Sequence, residues 1–109
     1  MYKVMLVDDD VPMLKYLESI INWEEIGAEI VASTFSSVKA LTLFEEYQPD
    51  LVITDIGIPQ IDGLDLAVRF KEINPAVRVI LLTCHEDFYY AKRAIQIAVD
   101  DYLIKDELN

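Results

Sequence analysis

Several things are scarce in this 109-residue chain, and each scarcity narrows what it can be. One cysteine, Cys84, rules out an internal disulfide, and a lone thiol fits a reducing compartment. Three glycines and four prolines leave no low-complexity tract, repeat or linker. Apolar runs stop at four to six residues, against the ~20 that cross a bilayer. The opening Met1-Tyr2-Lys3-Val4 has neither the apolar stretch nor the cleavage site of a secretory signal. The expected location is cytoplasmic, with no membrane contact. Basic residues are also few: nine Lys and Arg face twenty Asp and Glu, for a net charge of −11. Phosphate backbones attract basic patches, so this chain is a poor candidate for contacting DNA or RNA itself.

What is present is hydrophobic sequence in short, well-separated pieces. At 53% hydrophobic residues the chain is globular, and its length predicts one domain burying roughly 60–70% of its unfolded surface. Apolar runs suited to buried strands fall at residues 2–7, 28–34, 51–54, 77–82 and 102–104. Between them, apolar residues recur at helical spacing: Val11, Leu14, Leu17 and Ile21; Val38, Leu41 and Phe44; Ala67, Phe70 and Ile73; Ala91, Ala94, Ile95 and Ala98. Ser36 or Ser37 is suited to cap the second helix, Asp62 or Gly63 the third, and Asp87 the fourth. Strict alternation of strand and helix predicts an α/β fold: a doubly wound, five-stranded parallel sheet with right-handed crossovers. Only four residues follow Lys105; a fifth helix, expected in such a fold, is read as truncated.

Each strand that matters ends in a reactive group. Val4-Met5-Leu6-Val7 runs into Asp8-Asp9-Asp10, and Leu51-Val52-Ile53-Thr54 into Asp55. Val79-Ile80-Leu81-Leu82 runs into Thr83, and Tyr102-Leu103-Ile104 into Lys105. Ligands of open parallel sheets bind outside the carboxyl ends of strands, where these groups gather. Two charges about 4 Å apart repel by roughly 4 kcal/mol at an effective dielectric of 20. Asp8, Asp9 and Asp55 together would forfeit on the order of 10 kcal/mol, comparable to the stability of a whole domain. A hard cation such as Mg²⁺ and the nearby ammonium of Lys105 relieve that repulsion. A carboxylate so placed can attack phosphorus and form an acyl phosphate. The plainer alternative is that Asp55 caps a turn before Pro59 and that Asp8-Asp9 caps the first helix.

The segments Leu6-Val7-Asp8-Asp9, Asp50-Leu51-Val52-Ile53-Thr54-Asp55-Ile56, Pro59 with Asp62-Gly63, Leu82-Thr83, and Asp101-Tyr102-Leu103-Ile104-Lys105 together resemble the receiver domains of bacterial two-component response regulators, of flavodoxin-like (CheY-like) fold. The resemblance spans residues 1–109. Trp23-Glu24-Glu25-Ile26-Gly27 and Glu86-Asp87-Phe88-Tyr89-Tyr90-Ala91 further resemble regulators with an AraC-type helix-turn-helix output domain.

The resemblance implies a phosphorylatable switch whose only chemistry is its own Mg²⁺-dependent phosphorylation and dephosphorylation. Asp55 would take the phosphoryl group from a sensor histidine kinase. Asp9, Asp55 and the Gly57 carbonyl would ligate Mg²⁺ directly, with Asp8 acting through water. Thr83 and Lys105 would bind phosphoryl oxygens. Thr83 and Tyr102 would form the switch, reshaping the fourth helix and fifth strand, through which a homodimer would form. Ile97 and Val99 are candidate partner contacts there, or else helix-end residues.

Three departures stand out. Asp106 replaces the proline that usually follows the family's lysine, so either a cis bond is kept without proline, at about 2.5–4 kcal/mol, or Lys105 shifts. An acid at Asp106 is also expected to draw the Lys105 ammonium away from the phosphoryl site. Gly57 and His85 occupy positions that in the family influence acyl-phosphate lifetime. Ala98-Val99 predicts a different end to the fourth helix. The alternatives are a degenerate receiver that binds partners constitutively and a haloacid-dehalogenase-type enzyme. The latter lacks its second acid, because Gly57 stands there.

Overall fold

A computed structural model describes residues 1–108, leaving out the side chains of Tyr90 and Ile97. The strands are β1 (Tyr2–Val7), β2 (Ala28–Thr34), β3 (Leu51–Asp55), β4 (Arg78–Thr83) and β5 (Asp101–Ile104). Helices α1 (Val11–Ile20), α2 (Ser37–Tyr47), α3 (Gly63–Ile73) and α4 (His85–Ala98) alternate with them, and a 3-10 turn, Lys105–Glu107, follows β5. All pairings are parallel, in the order β2-β1-β3-β4-β5. The order reverses at β1, which places the carboxyl ends of β1 and β3 side by side at the switch point where such sheets bind ligands.

Alternation along the strands sends side chains to two cores. Val4 and Leu6 of β1, Ile53 of β3 and Leu82 of β4 pack on Leu14 and Leu17 of α1. Met5, Val7, Val52 and Val79 point the other way, onto Ala40 and Phe44 of α2 and Ala67 and Phe70 of α3. The rings of Phe44 and Phe70 stack at 4.4 Å and lock α2 to α3. On the same face Leu81 meets Ile95 of α4 and Ile56. Helices therefore cover both faces, and the continuous apolar strands are explained by two-sided burial.

The helical stripes hold in part: Leu14, Leu17, Phe44, Ala67, Phe70 and Ile95 are buried, whereas Val11, Val38, Ile73 and, within α4, Ala94 are exposed. Asp10, not Asp8 or Asp9, caps α1, accepting from Met13 N at 3.3 Å. Ser36 caps α2 and Asp62 caps α3, leaving Ser37 and Gly63 inside their helices. The α4 cap is Cys84 rather than Asp87: its Sγ accepts from the Asp87 N–H at 3.5 Å. Asp87 is thus an acidic residue in the first turn, where it favours the helix dipole. Val99 ends α4 in extended conformation and packs, partly buried, against both cores of that sheet face. The Ile97 side chain lies outside the described residues.

Candidate active site

Asp8 sits immediately past β1, and its place is set from both directions. Its own N–H donates to the Thr34 carbonyl at 3.1 Å, and its Oδ1 accepts from Asp10 N at 2.9 Å. The side chain is 0% exposed. Asp55 ends β3, one strand across, and is also buried. Lys105, from the end of β5, reaches between them: its Nζ lies 2.8 Å from Asp8 Oδ2 and 3.0 Å from Asp55 Oδ1. The approach to Asp8 Oδ2 is off a hydrogen-bonding direction, so that buried oxygen is close to a positive charge yet has no donor aimed at it.

Burial pushes the carboxyls of both Asp8 and Asp55 above the usual carboxylate range, against the close ammonium of Lys105. For Asp55 the charge of Asp9 adds to the rise, while the Gly57 N–H opposes it. The two carboxylates in turn hold the Lys105 ammonium above the ordinary lysine value, although burial works against its charge. One cation is therefore shared by two buried anions with a third, exposed Asp9, beside them.

Oxygen atoms of Asp8, Asp9 and Asp55 lie within 4.8 Å of one another. An all-carboxylate donor set with one buried, unpartnered oxygen fits a hard cation such as Mg²⁺. Gly57 follows in the same loop, where an added Cβ would meet Asp55 Oδ2 at 3.8 Å.

Thr83 and Tyr102 lie on adjacent strands. Thr83 is wholly buried, and its hydroxyl donates to the Cys84 carbonyl at 3.1 Å. Tyr102 is 37% exposed, with its ring 4.6 Å from that of Phe88 on α4. Asp106 does not divert Lys105. Among the described residues no peptide bond is cis, and the Asp106 carboxylate turns instead to the His85 N–H at 3.3 Å. His85 Nε2 lies 3.5 Å from Glu107, while Cys84 faces the Asp87 amide, so the two neighbours form no nucleophilic pair. The acid after Lys105 serves as an anchor for the 3-10 turn against the start of α4.

Gly63 has a role the sequence reading assigned only as a possible cap. A Cβ there would lie 2.2 Å from the Asp55 carbonyl oxygen, and the Gly63 N–H closes the loop by donating to the Ile56 carbonyl at 2.9 Å. The backbone of the key aspartate is thus pressed against a position that admits no side chain. The Asp62-Gly63 pair was the visible signal, but the close approach is a property of the folded loop.

Comparison with known proteins places these features in a family. A family model described as "Response regulator receiver domain" matches residues 4–108. YesN, described as an uncharacterized transcriptional regulatory protein of Bacillus subtilis (strain 168), is 36% identical over 105 residues, covering 96% of this chain and 28% of that protein. The transcriptional regulatory protein HptR of Staphylococcus aureus (strain NCTC 8325 / PS 47) is 37% identical over 105 residues, 96% of this chain and 41% of its own length. The chain thus spans less than half of these curated relatives. Among solved structures, the REC domain of AraT, a response regulator from Geobacillus stearothermophilus, superposes with a TM-score of 0.88 at 34% identity, covering 95% of this chain and 81% of that one. A two-component transcriptional regulator AraC from Clostridium phytofermentans ISDg shares the fold, with a TM-score of 0.84 at 22% identity over 97% of this chain and 81% of that one.

Proposed function

Because this chain belongs to the response regulator receiver domain family, whose members are signalling switches, we propose that it takes a phosphoryl group on Asp55 from the phosphohistidine of a sensor histidine kinase and relays the change to a transcriptional output segment in a longer protein. The observation that carries this reading is the triangle of Asp8, Asp55 and Lys105, with Asp9 beside it. Convergence of all these groups favours a working switch over a constitutive interaction module.

In the transfer, an Asp55 carboxylate oxygen forms the new bond to phosphorus as the bond from phosphorus to the donor imidazole nitrogen breaks, and the imidazole leaves with that electron pair. Lys105, already 3.0 Å from Asp55, pairs with an oxygen of the arriving group. Thr83 exchanges its bond to the Cys84 carbonyl for one to another phosphoryl oxygen. Asp8, Asp9, Asp55 and the Gly57 carbonyl would hold Mg²⁺, which when bound supplies positive charge to the transferring oxygens.

The switch follows from the same contacts. A phosphoryl group adds roughly −1.5 to −2 charges, enough to bias a two-state element by a few kcal/mol. Withdrawal of Thr83 toward it opens space for Tyr102, which now lies outside against Phe88. The inward turn of Tyr102 would reshape the α4–β5 surface on which a second copy would dock. The output segment is proposed to be of AraC type and to make all DNA contact, and the switch to work in the cytoplasm. A helix after residue 109 would cover the sheet face where Leu51, Ile80 and Leu103 remain half-buried.

The test is incubation with Mg²⁺ and acetyl phosphate, read by intact mass. Wild type should gain one phosphoryl group only with Mg²⁺, and Asp55→Asn none. Equal labelling of the two proteins, or none of wild type, defeats the reading.

A further inference from the structure

Ser37 is the first residue of α2, yet its hydroxyl does no capping, since Ser36 accepts the Lys39 N–H in that role at 3.2 Å. It is only 1% exposed. Instead it spans to the loop after Asp55, donating to the Pro59 carbonyl at 2.7 Å and accepting from the Ile61 N–H at 3.2 Å. The same Ile61 N–H also reaches the Pro59 carbonyl at 3.0 Å, with Gln60 between them at φ 75°. That is a positive-φ γ-turn, a rare and strained conformation for a residue with a side chain. Strain of this kind persists only where surrounding contacts over-determine it. Here a single buried hydroxyl grips the carbonyl on one side of the turn and the amide on the other.

We propose that Ser37 is a positioning residue for the Asp55 site, holding the loop that carries Gly57 in the geometry that cation and phosphoryl binding require. The proposal rests on the function assigned to Asp55 above. The loop is fixed at its base by Ile56 N to Leu82 O and Gly63 N to Ile56 O, at its middle by the buried Ile58 side chain, and at its tip by Ser37. Beyond the base, Ser37 supplies hydrogen bonds to the loop from another part of the sequence. It leads directly to the other half of the acid cluster. Thr34 takes the Asp8 N–H on its carbonyl and the Ser36 N–H on its hydroxyl, both at 3.1 Å. The short step from Thr34 to Ser37 therefore ties the strand end that places Asp8 to the loop that follows Asp55. Ser37 touches neither cation nor substrate; it sets the spacing of the groups that do.

Ser37→Ala removes both bonds but lets Pro59 O and Ile61 N keep each other, so the fold should survive, as near-UV circular dichroism will show. Three readouts are compared for wild type, Ser37→Ala and Ser37→Thr: amide hydrogen exchange without metal, Mg²⁺ affinity by calorimetry, and acetyl phosphate labelling as a function of Mg²⁺. In Ser37→Ala, residues 57–61 should exchange faster while core strands do not change. Mg²⁺ should bind roughly three- to tenfold more weakly, the ratio one lost hydrogen bond yields. Labelling should recover at saturating Mg²⁺, and Ser37→Thr should restore affinity by returning the hydroxyl. Wild-type Mg²⁺ affinity in Ser37→Ala overturns the proposal, whether or not the loop exchanges faster. If wild type neither binds Mg²⁺ nor takes the phosphoryl group, the function assigned to Asp55 fails and this proposal with it; a normal wild type matched by Ser37→Ala sinks this proposal alone.

Discussion

Lys105 is the residue on which the electrostatics of the site turn. Two buried carboxylates are tolerable because one ammonium lies within 3.0 Å of both. Lys105→Met should lower stability by about 3 kcal/mol at neutral pH, the low end for breaking a buried pair, since the ammonium keeps some water contact. The loss should shrink in acid. Asp8 and Asp55 have folded pKa values raised above the ordinary carboxylate value even with Lys105 holding them down; without it they rise further, so the variant's folded state takes up more protons and gains more stability than wild type as pH falls. Urea unfolding of both proteins across pH 4–7 checks this, and a gap that widens toward acid contradicts it. The carboxylates and the lysine were legible in the sequence, each standing at the end of an apolar strand. The partner chosen by Asp106 was not legible. An acid next to Lys105 looks like a competitor for its charge, and only the 3-10 turn, by aiming Asp106 at the His85 amide, makes it an anchor.

At the scale of elements, Asp100 joins α3, β4 and the entry to β5. Its Oδ2 accepts from Val79 N at 2.8 Å and from Lys71 Nζ at 2.7 Å, and Lys71 also donates to the Val77 carbonyl at 2.8 Å. Burial opposes its charge, but the bonds from Lys71 and Val79 and the charges of Lys71 and Arg78 outweigh that and hold the carboxyl below its ordinary value. The stability it contributes is therefore present above the unfolded carboxylate value and lost as pH falls through the folded one. Asp100→Ala should destabilise by about 1–3 kcal/mol at pH 7, and thermal denaturation should show the gap narrowing only in strong acid. In sequence, Asp100-Asp101 reads as one more solvated acidic pair. Its two members diverge because Asp101 opens an edge strand while Asp100 lies over the first amides of β4. Element order was readable because short apolar runs and helical stripes alternate cleanly. Helix ends were less so, as with Cys84, whose weak sulfur acceptor is a cap that residue preferences do not favour over Asp87.

The whole molecule carries a net charge of −11, and its acid cluster assembles only when β1, β3 and their loops are folded together. Mg²⁺ bound there would engage the native state and not the unfolded chain, so it should raise the melting temperature with concentration. The rise should exceed that given by NaCl of equal ionic strength, which merely screens self-repulsion. Asp9→Asn should remove most of the difference. Differential scanning fluorimetry with matched salts separates the two effects, and identical curves in Mg²⁺ and NaCl would exclude a specific site. Among the described residues no helix is long and apolar enough to cross a membrane.

Hydrophobic patterning decided, within the chain itself, that five strands and four helices alternate and which polar groups terminate the strands. Those are local properties: burial on two faces demands continuous apolar strands, and the reactive groups simply come next in line. Folding alone decided how far apart those groups lie, which oxygen of Asp8 is left without a donor, why position 63 admits no side chain, and that a buried serine grips a strained turn. These are distances between residues remote in sequence, and no pattern of neighbours encodes them.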